Sequence, residues 1–124
     1  MTHEIVTPGF TRLDERGEFM EVLNAGEWRC VITGHMVANA VLGNHYHNRV
    51  RVFFFLQSGE VEIRTVHVKT STRGYLKLTQ KQGVFLEPGE SHVIRFLSPS
   101  EFLMLKSERY DPSDPDTIHF PVET

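Results

Sequence analysis

The feature that most constrains the fold is a series of short apolar segments separated by turn residues. Segments such as RVFFFLQ, EVEIRTVHV and HVIRFLS recur along the chain, with Ser-Gly, Arg-Gly and Pro-Gly pairs between them. About eight such segments occur without a long helical pattern, which favours an all-β sandwich or barrel. The 124 residues match the size of one ordinary domain, so we predict a single domain over residues 1–124.

The segment VFFFL is apolar at every position, whereas a strand with one solvated face would alternate. One face can fill the core of a barrel. The other face, with Phe53 and Phe55, needs cover from a second sheet or from a second subunit. We therefore expect a homodimer.

Composition excludes several classes of partner. The formal net charge is −3, with 13 basic and 16 acidic residues well mixed, so no basic stripe predicts binding to nucleic acid. The longest apolar run, residues 52–56, is too short to cross a membrane. The first residues lack a secretory pattern, and the single cysteine, Cys30, cannot form an intrachain disulfide. We expect a cytoplasmic protein.

Three histidines form a candidate metal site. His45 and His47 are two residues apart on a predicted strand and share a face, while His92 follows a Pro-Gly turn that could bring it back toward them. Three imidazoles and a water make an open divalent-metal site, with zinc as the first choice and iron, nickel or manganese as alternatives. The other interpretation is that no metal binds and that the histidines serve packing or hydrogen bonds to a substrate.

Two motifs resemble those of the cupin superfamily. HYH with a following Gly, and later G-x4-PG-x2-H, are similar to the two cupin motifs, which implies a double-stranded β-helix, or jelly-roll barrel. The usual first motif adds a Glu ligand four or five residues after its second His. Arg51 and Val52 stand there in this chain, and Val52 holds the position of the Glu. Phe96 replaces the Asn that usually ends the second motif.

The resemblance can be narrowed within the cupins. DERGEFMEVLNAGEW, GNHYH, SGEVEIRTV and SERYDPSDPDTI, in this order, resemble the cupin domain at the C-terminus of bifunctional capsular-polysaccharide enzymes that reduce and epimerise nucleotide sugars. Nucleotide-sugar 3,4-ketoisomerases and dehydrorhamnose 3,5-epimerases are similar more distantly. GNHYH and PDT are the most specific pieces, although Leu42 stands where those relatives usually have Arg.

The resemblance implies proton abstraction beside the 4-keto group of a nucleotide-linked sugar, in polysaccharide or deoxysugar biosynthesis. Such chemistry needs a base near neutral pKa and a positive or hydrogen-bonding group at the enolate oxygen. If a metal occupies the three histidines, His35 and Tyr46 remain as candidate bases. If no metal binds, one of His45, His47 and His92 is the base.

Arginines are the candidate ligands of the substrate diphosphate, because the guanidinium group can make paired hydrogen bonds to phosphate oxygens. We predict this role for Arg49, Arg64 and Arg95, and a surface position for Lys106 and Glu108. Two further functions stay open from the sequence. One is a non-catalytic cupin that binds a sugar or another small molecule, and the other is a three-His metal-dependent oxygenase.

Overall fold

The secondary structure consists of short strands with no helix in the part of the chain that is described. The computed structural model describes residues 3–122. Within these residues there is no helix, and so no helix that could span a membrane. The strands are β1 (Phe10–Asp14), β2 (Gly17–Glu21), β3 (Cys30–Met36), β4 (Val41–Tyr46), β5 (Val52–Ser58), β6 (Glu60–His67), β7 (Arg73–Thr79), β8 (Gln82–Leu86), β9 (Glu90–Phe96), β10 (Ser100–Lys106) and β11 (Ile118–His119).

Two antiparallel sheets form the body of the fold. One has the strand order β3-β10-β5-β8 and the other β11-β4-β9-β6-β7, while β1 and β2 pair as a separate hairpin. Most neighbours in the two sheets are distant in sequence, as expected when the chain winds back and forth between two sheets in a jelly roll. The all-β prediction and the double-stranded β-helix are confirmed.

Alternate side chains of the strands fill the space between the sheets. Val52, Phe54 and Leu56 of β5 pack there against Ile94 and Phe96 of β9, and all five are almost fully buried. This period of two is what a strand imposes on its side chains. The core therefore lies between the faces, and any inward polar side chain must share that space.

The second apolar face of β5 is covered by the chain itself. Phe53 and Phe55 are 0% and 1% exposed, although they point away from the core. The ring of Phe53 contacts that of Phe85, with centroids 5.0 Å apart, and Trp28 stacks on Phe85. Of the two kinds of cover expected for this face, burial within the same chain is the one observed, so these two side chains do not require a second subunit.

The strand predictions match β2, β3 and β5 to β10 closely, and differ mainly at the edges. The hairpin strand β1 and the two-residue strand β11 were not predicted, because neither has a continuous apolar pattern.

Candidate functional site

A bulge in β4 sets the direction of the histidines. The pairing of β4 with β9 shifts between Gly43 and His45, where Asn44 has a φ of 61° and Gly43 a φ of 112°. A Cβ at Gly43 would lie 2.4 Å from the carbonyl oxygen of His92, so only glycine allows this close approach. Because of the extra residue, Leu42 and His45 both face the pocket.

The three predicted histidines meet inside the barrel. His45 pairs directly with His92 across β4 and β9, and their ring centroids are 4.9 Å apart. The ring of His47 lies 5.2 Å from that of His45 and 6.1 Å from that of His92. The Pro-Gly turn closes the arrangement, since the N–H of Gly89 donates to the carbonyl of His47 at 2.8 Å.

Asp116 holds the segment that follows β4. Its carboxylate accepts the backbone N–H groups of Asn48, Arg49 and Val50 at 2.9, 2.8 and 3.0 Å. Burial by itself would raise the pKa of Asp116, but these three hydrogen bonds, together with Arg49, outweigh it and lower the pKa. The residue is only 8% exposed, so this carboxylate is an internal anchor between the tail and the histidine segment.

The same anchor fixes the tautomer of His47. Nδ1 of His47 lies 2.7 Å from the backbone carbonyl oxygen of Asp116, and a carbonyl can only accept, so Nδ1 carries the hydrogen. The neutral ring then has its lone pair on Nε2. That atom is buried and has no hydrogen-bond partner within the described chain. His47 is therefore an oriented proton acceptor.

The histidines line a small pocket of about 280 Å³ between the sheets. Most of its remaining wall is apolar and includes Ile32, Val52, Phe102 and Met104. Lys106 also lines it, which corrects the predicted surface position of this residue. The reason is strand parity: Phe102, Met104 and Lys106 alternate along β10 and share the inward face.

A larger cleft of about 870 Å³ lies elsewhere and contains none of the three histidines. Charged side chains dominate its wall, among them Arg29, Arg109, Glu108 and Asp111. It is open to solvent. We place the chemistry in the smaller pocket, because unpaired polar groups converge there within an apolar enclosure.

Burial keeps the three imidazoles neutral. Burial, followed by the charges of His47 and Lys106, lowers the pKa of His45 to about 4. Burial, followed by His45 and His47, lowers the pKa of His92 to about 3. Burial also lowers the pKa of His47, and its hydrogen bond to Asp116 offsets part of this effect. All three rings therefore have a free lone pair at neutral pH.

Neutral buried histidines make stability depend on pH. In the unfolded chain these imidazoles take up protons near pH 6.5, while in the fold they stay neutral down to about pH 4 for His45 and about pH 3 for His92. The free energy of unfolding is therefore largest above pH 6.5 and falls as the pH drops below that value. His92 contributes a slope of at most about 1.4 kcal/mol per pH unit.

Urea unfolding at pH 7.0 and pH 5.0 measures this slope in a window where few carboxylates titrate. His92→Asn is expected to show a shallower pH dependence than the wild type, whatever its absolute stability. His35→Asn, a change at a histidine exposed on the outer face of β3, is the matched control and should keep the wild-type slope. An unchanged slope in His92→Asn would contradict the prediction.

Two of the predicted catalytic residues lie outside the pocket. His35 is on β3 between the inward-facing Gly34 and Met36, and it is exposed on the outer face of the sheet. Tyr46 alternates with His45 and packs against Phe120, with ring centroids 6.0 Å apart. Neither side chain can act as a base in the pocket of its own chain, and His45 alone of the three candidates lines it.

The predicted phosphate-binding arginines also lie elsewhere. Arg64 and Arg95 are on the outer face of their sheet, and the guanidinium of Arg64 stacks on Tyr75 at 4.7 Å from the ring centroid. Arg49 lines the larger cleft and pairs with acids, at 3.2 Å from Asp114 and 3.6 Å from Glu108. The structure brings none of these three arginines into the histidine pocket.

The donor set differs in charge from the usual cupin metal site, because among the described residues it has no carboxylate and has a lysine beside it. Within residues 3–122, no three His, Cys, Asp or Glu side chains are arranged so that they could hold a metal ion. No acidic side chain is among the described residues that line the pocket, and Val52 and the cationic Lys106 are. A lysine ammonium beside three imidazoles opposes a second cation. His45, His47 and His92 form an imidazole cluster with Lys106 on the adjacent wall.

The comparison with known families decides where this chain belongs. A family model described as the polysaccharide biosynthesis C-terminal domain matches residues 12–118, which is most of the chain. The chain belongs to this family. The match includes all three pocket histidines, Lys106 and Asp116.

Solved structures share the fold of this family member. Capsular polysaccharide assembling protein CapF from Staphylococcus aureus is 26% identical with a TM-score of 0.72, and the match covers 91% of this chain and 34% of that one. This chain thus spans about a third of the length of CapF. The TDP-fucose-3,4-ketoisomerase WlaRA from Campylobacter jejuni is 16% identical with a TM-score of 0.77, covering 96% and 90% of the two chains.

The rmlC epimerase of Mycobacterium tuberculosis is similar at 19% identity and a TM-score of 0.74, over 91% of this chain and 70% of that one. No curated protein sequence matched the chain. This chain therefore shares its fold with a ketoisomerase and an epimerase.

Sequence reasoning missed Lys106 and Asp116. The signal for the lysine was the spacing of Phe102, Met104 and Lys106 on one strand. Side chains two and four residues after a buried Phe lie on the same face of the strand as that Phe. For Asp116 the signal was the PDT triplet, the family-specific piece of the tail, but a contact across 66 to 69 residues cannot be derived from spacing.

Proposed function

We propose that this chain is an epimerase or ketoisomerase of a nucleotide-linked 4-keto sugar, acting by proton removal beside the ketone. The single observation that carries the proposal is the oriented lone pair on Nε2 of His47, buried and unpaired in a pocket. The fold shared with a ketoisomerase and an epimerase supports the choice of reaction, and membership of the polysaccharide biosynthesis family supports the choice of substrate.

The chemistry needs few groups. A ketone acidifies the C–H bond on each adjacent carbon, and Nε2 of His47 takes that proton while the electron pair moves onto the carbonyl oxygen as an enolate. Return of the proton to the opposite face inverts the carbon centre. Return after formation of an enediol moves the ketone to the neighbouring carbon.

Histidine is suited to this step because its neutral ring is present at working pH. Burial lowers the pKa of His47, but its hydrogen bond to Asp116 raises the pKa against this effect, which favours His47 as the base. Burial lowers the pKa of His45 to about 4 and that of His92 to about 3, so both rings are weak bases. The apolar wall excludes water that would compete for the enolate.

The test is solvent exchange. The full chain is incubated in heavy water with a panel of 4-keto nucleotide sugars, and NMR and mass spectrometry locate deuterium in the recovered sugar. Deuterium on a carbon beside the ketone, above the level without protein, is the expected result. Tight binding of a sugar nucleotide without exchange would instead identify a non-catalytic binding protein.

We also propose that the protein works as a homodimer. The β1–β2 hairpin exposes Phe10, Leu13 and Phe19, and these apolar side chains support a partner surface. Light scattering after size exclusion should give twice the 14.3 kDa mass of the chain. Leu13→Asp is expected to shift the mass toward that of the monomer, and a wild-type mass of 14.3 kDa at high concentration would contradict the proposal.

A further inference from the structure

Lys106 is the cation of the histidine pocket. It is the last residue of β10 and faces inward with Met104, and it lines the same cavity as His45, His47 and His92. No ion pair within the described residues includes Lys106, and no acidic side chain lines the pocket. Among the described residues, Lys106 therefore adds a positive charge without an ion-pair partner to the wall of a small and largely apolar pocket.

Such a charge has two physical consequences. It attracts negative charge that develops on a bound ligand, and a low-dielectric wall strengthens this attraction compared with water. It also repels any second cation that would bind the adjacent imidazoles. The wall position opposite Lys106 in the pairing of β5 and β10 is Val52, which offers no carboxylate to neutralise either cation.

We propose that Lys106 takes the place of a divalent metal ion in this pocket. Its ammonium stabilises the negative oxygen of the enolate, and its charge keeps the three imidazoles free of metal. The stabilisation of the enolate rests on the proposed function. The exclusion of metal from the imidazoles applies to the protein without any substrate. The three rings are thereby left to act as bases and hydrogen-bonding groups.

The exclusion of metal by Lys106 is tested on the full chain without substrate. Wild-type protein is incubated with Zn²⁺, Mn²⁺, Ni²⁺ or Fe²⁺, desalted and measured by elemental analysis. The expected result is metal far below one equivalent for the wild type and a clear gain of zinc for Lys106→Met, which keeps most of the length of the side chain and removes its charge. Lys69→Met, a change in an exposed turn, is the control and should behave as the wild type.

Lys106→Gln is measured beside Lys106→Met, so that a folding defect in one variant does not decide the result. A stoichiometric metal in the wild type that is lost in His92→Asn would overturn the proposal. Equal zinc retention in the wild type and in both lysine variants would overturn it as well, since the charge would then not be what excludes the metal.

The stabilisation of the enolate by Lys106 is tested by deuterium exchange into the sugar. Lys106→Met is expected to lose about 10²–10³-fold in exchange rate, as when one stabilising group of an oxyanion is removed, with a much smaller change in substrate affinity. Exchange at the wild-type rate in Lys106→Met would overturn the role of the lysine. If the wild type exchanges no sugar of the panel, the proposed function fails, and the metal measurement still decides whether Lys106 excludes metal.

Discussion

His47→Asn is expected to reduce deuterium exchange into the sugar by about 10²–10⁴-fold, the usual contribution of a general base. The asparagine amide can replace the Nδ1–H of His47 as a donor to the carbonyl of Asp116, so the local structure is kept. It cannot replace the lone pair on Nε2, which is the atom that removes the proton. The exchange rate in heavy water, followed by NMR, measures the loss.

His35→Asn tests the alternative base that the sequence suggested. Because the imidazole of His35 lies on the outer face of β3, this variant should exchange at the wild-type rate. A large loss in His35→Asn, with exchange intact in His47→Asn, would contradict the assignment. A melting temperature close to that of the wild type for both variants shows that the comparison concerns chemistry and not folding.

Asp116→Ala is expected to lower the free energy of unfolding by about 3–5 kcal/mol, as when a buried charged partner is removed from its hydrogen bonds. The change leaves the N–H groups of Asn48, Arg49 and Val50 without their acceptor. Urea unfolding measures the loss. Asp116→Asn keeps one acceptor oxygen and should lie between Asp116→Ala and the wild type.

Asp114→Ala is the control for this effect. Asp114 pairs with Arg49 but its side chain is 67% exposed, so its removal should cost well under 1 kcal/mol. Equal losses for the two positions would contradict the view of Asp116 as an internal anchor. Asp116→Asn should also slow deuterium exchange more than it lowers substrate affinity, because the anchor orients His47.

The fold could be predicted because its signals are local. A strand displays its environment as alternation or as a continuous apolar run, and a turn displays its geometry through Gly and Pro. Both signals are strong over β5 to β10. They fail for β1 and β11, where exposure of the strand removes the apolar pattern.

The sequence could not predict what covers the outer face of β5, for a different reason. The apolar character of Phe53 and Phe55 requires burial but does not name the partner. In the structure, Phe85 and Trp28 of the same chain complete that face. Burial against the same chain and burial against a second chain leave the same pattern in a strand.

By itself, the sequence determined that the chain forms short strands and that His45, His47 and His92 are the candidates for one site, because side-chain parity and turn residues act over a few residues. Only the tertiary structure decided that Lys106 joins them, that Asp116 fixes the proton of His47, and that His35 faces outward. These facts depend on strand register, on a bulge beside Gly43 and on contacts between distant parts of the chain. Such long-range geometry is set by packing of the whole core and not by the spacing of residues.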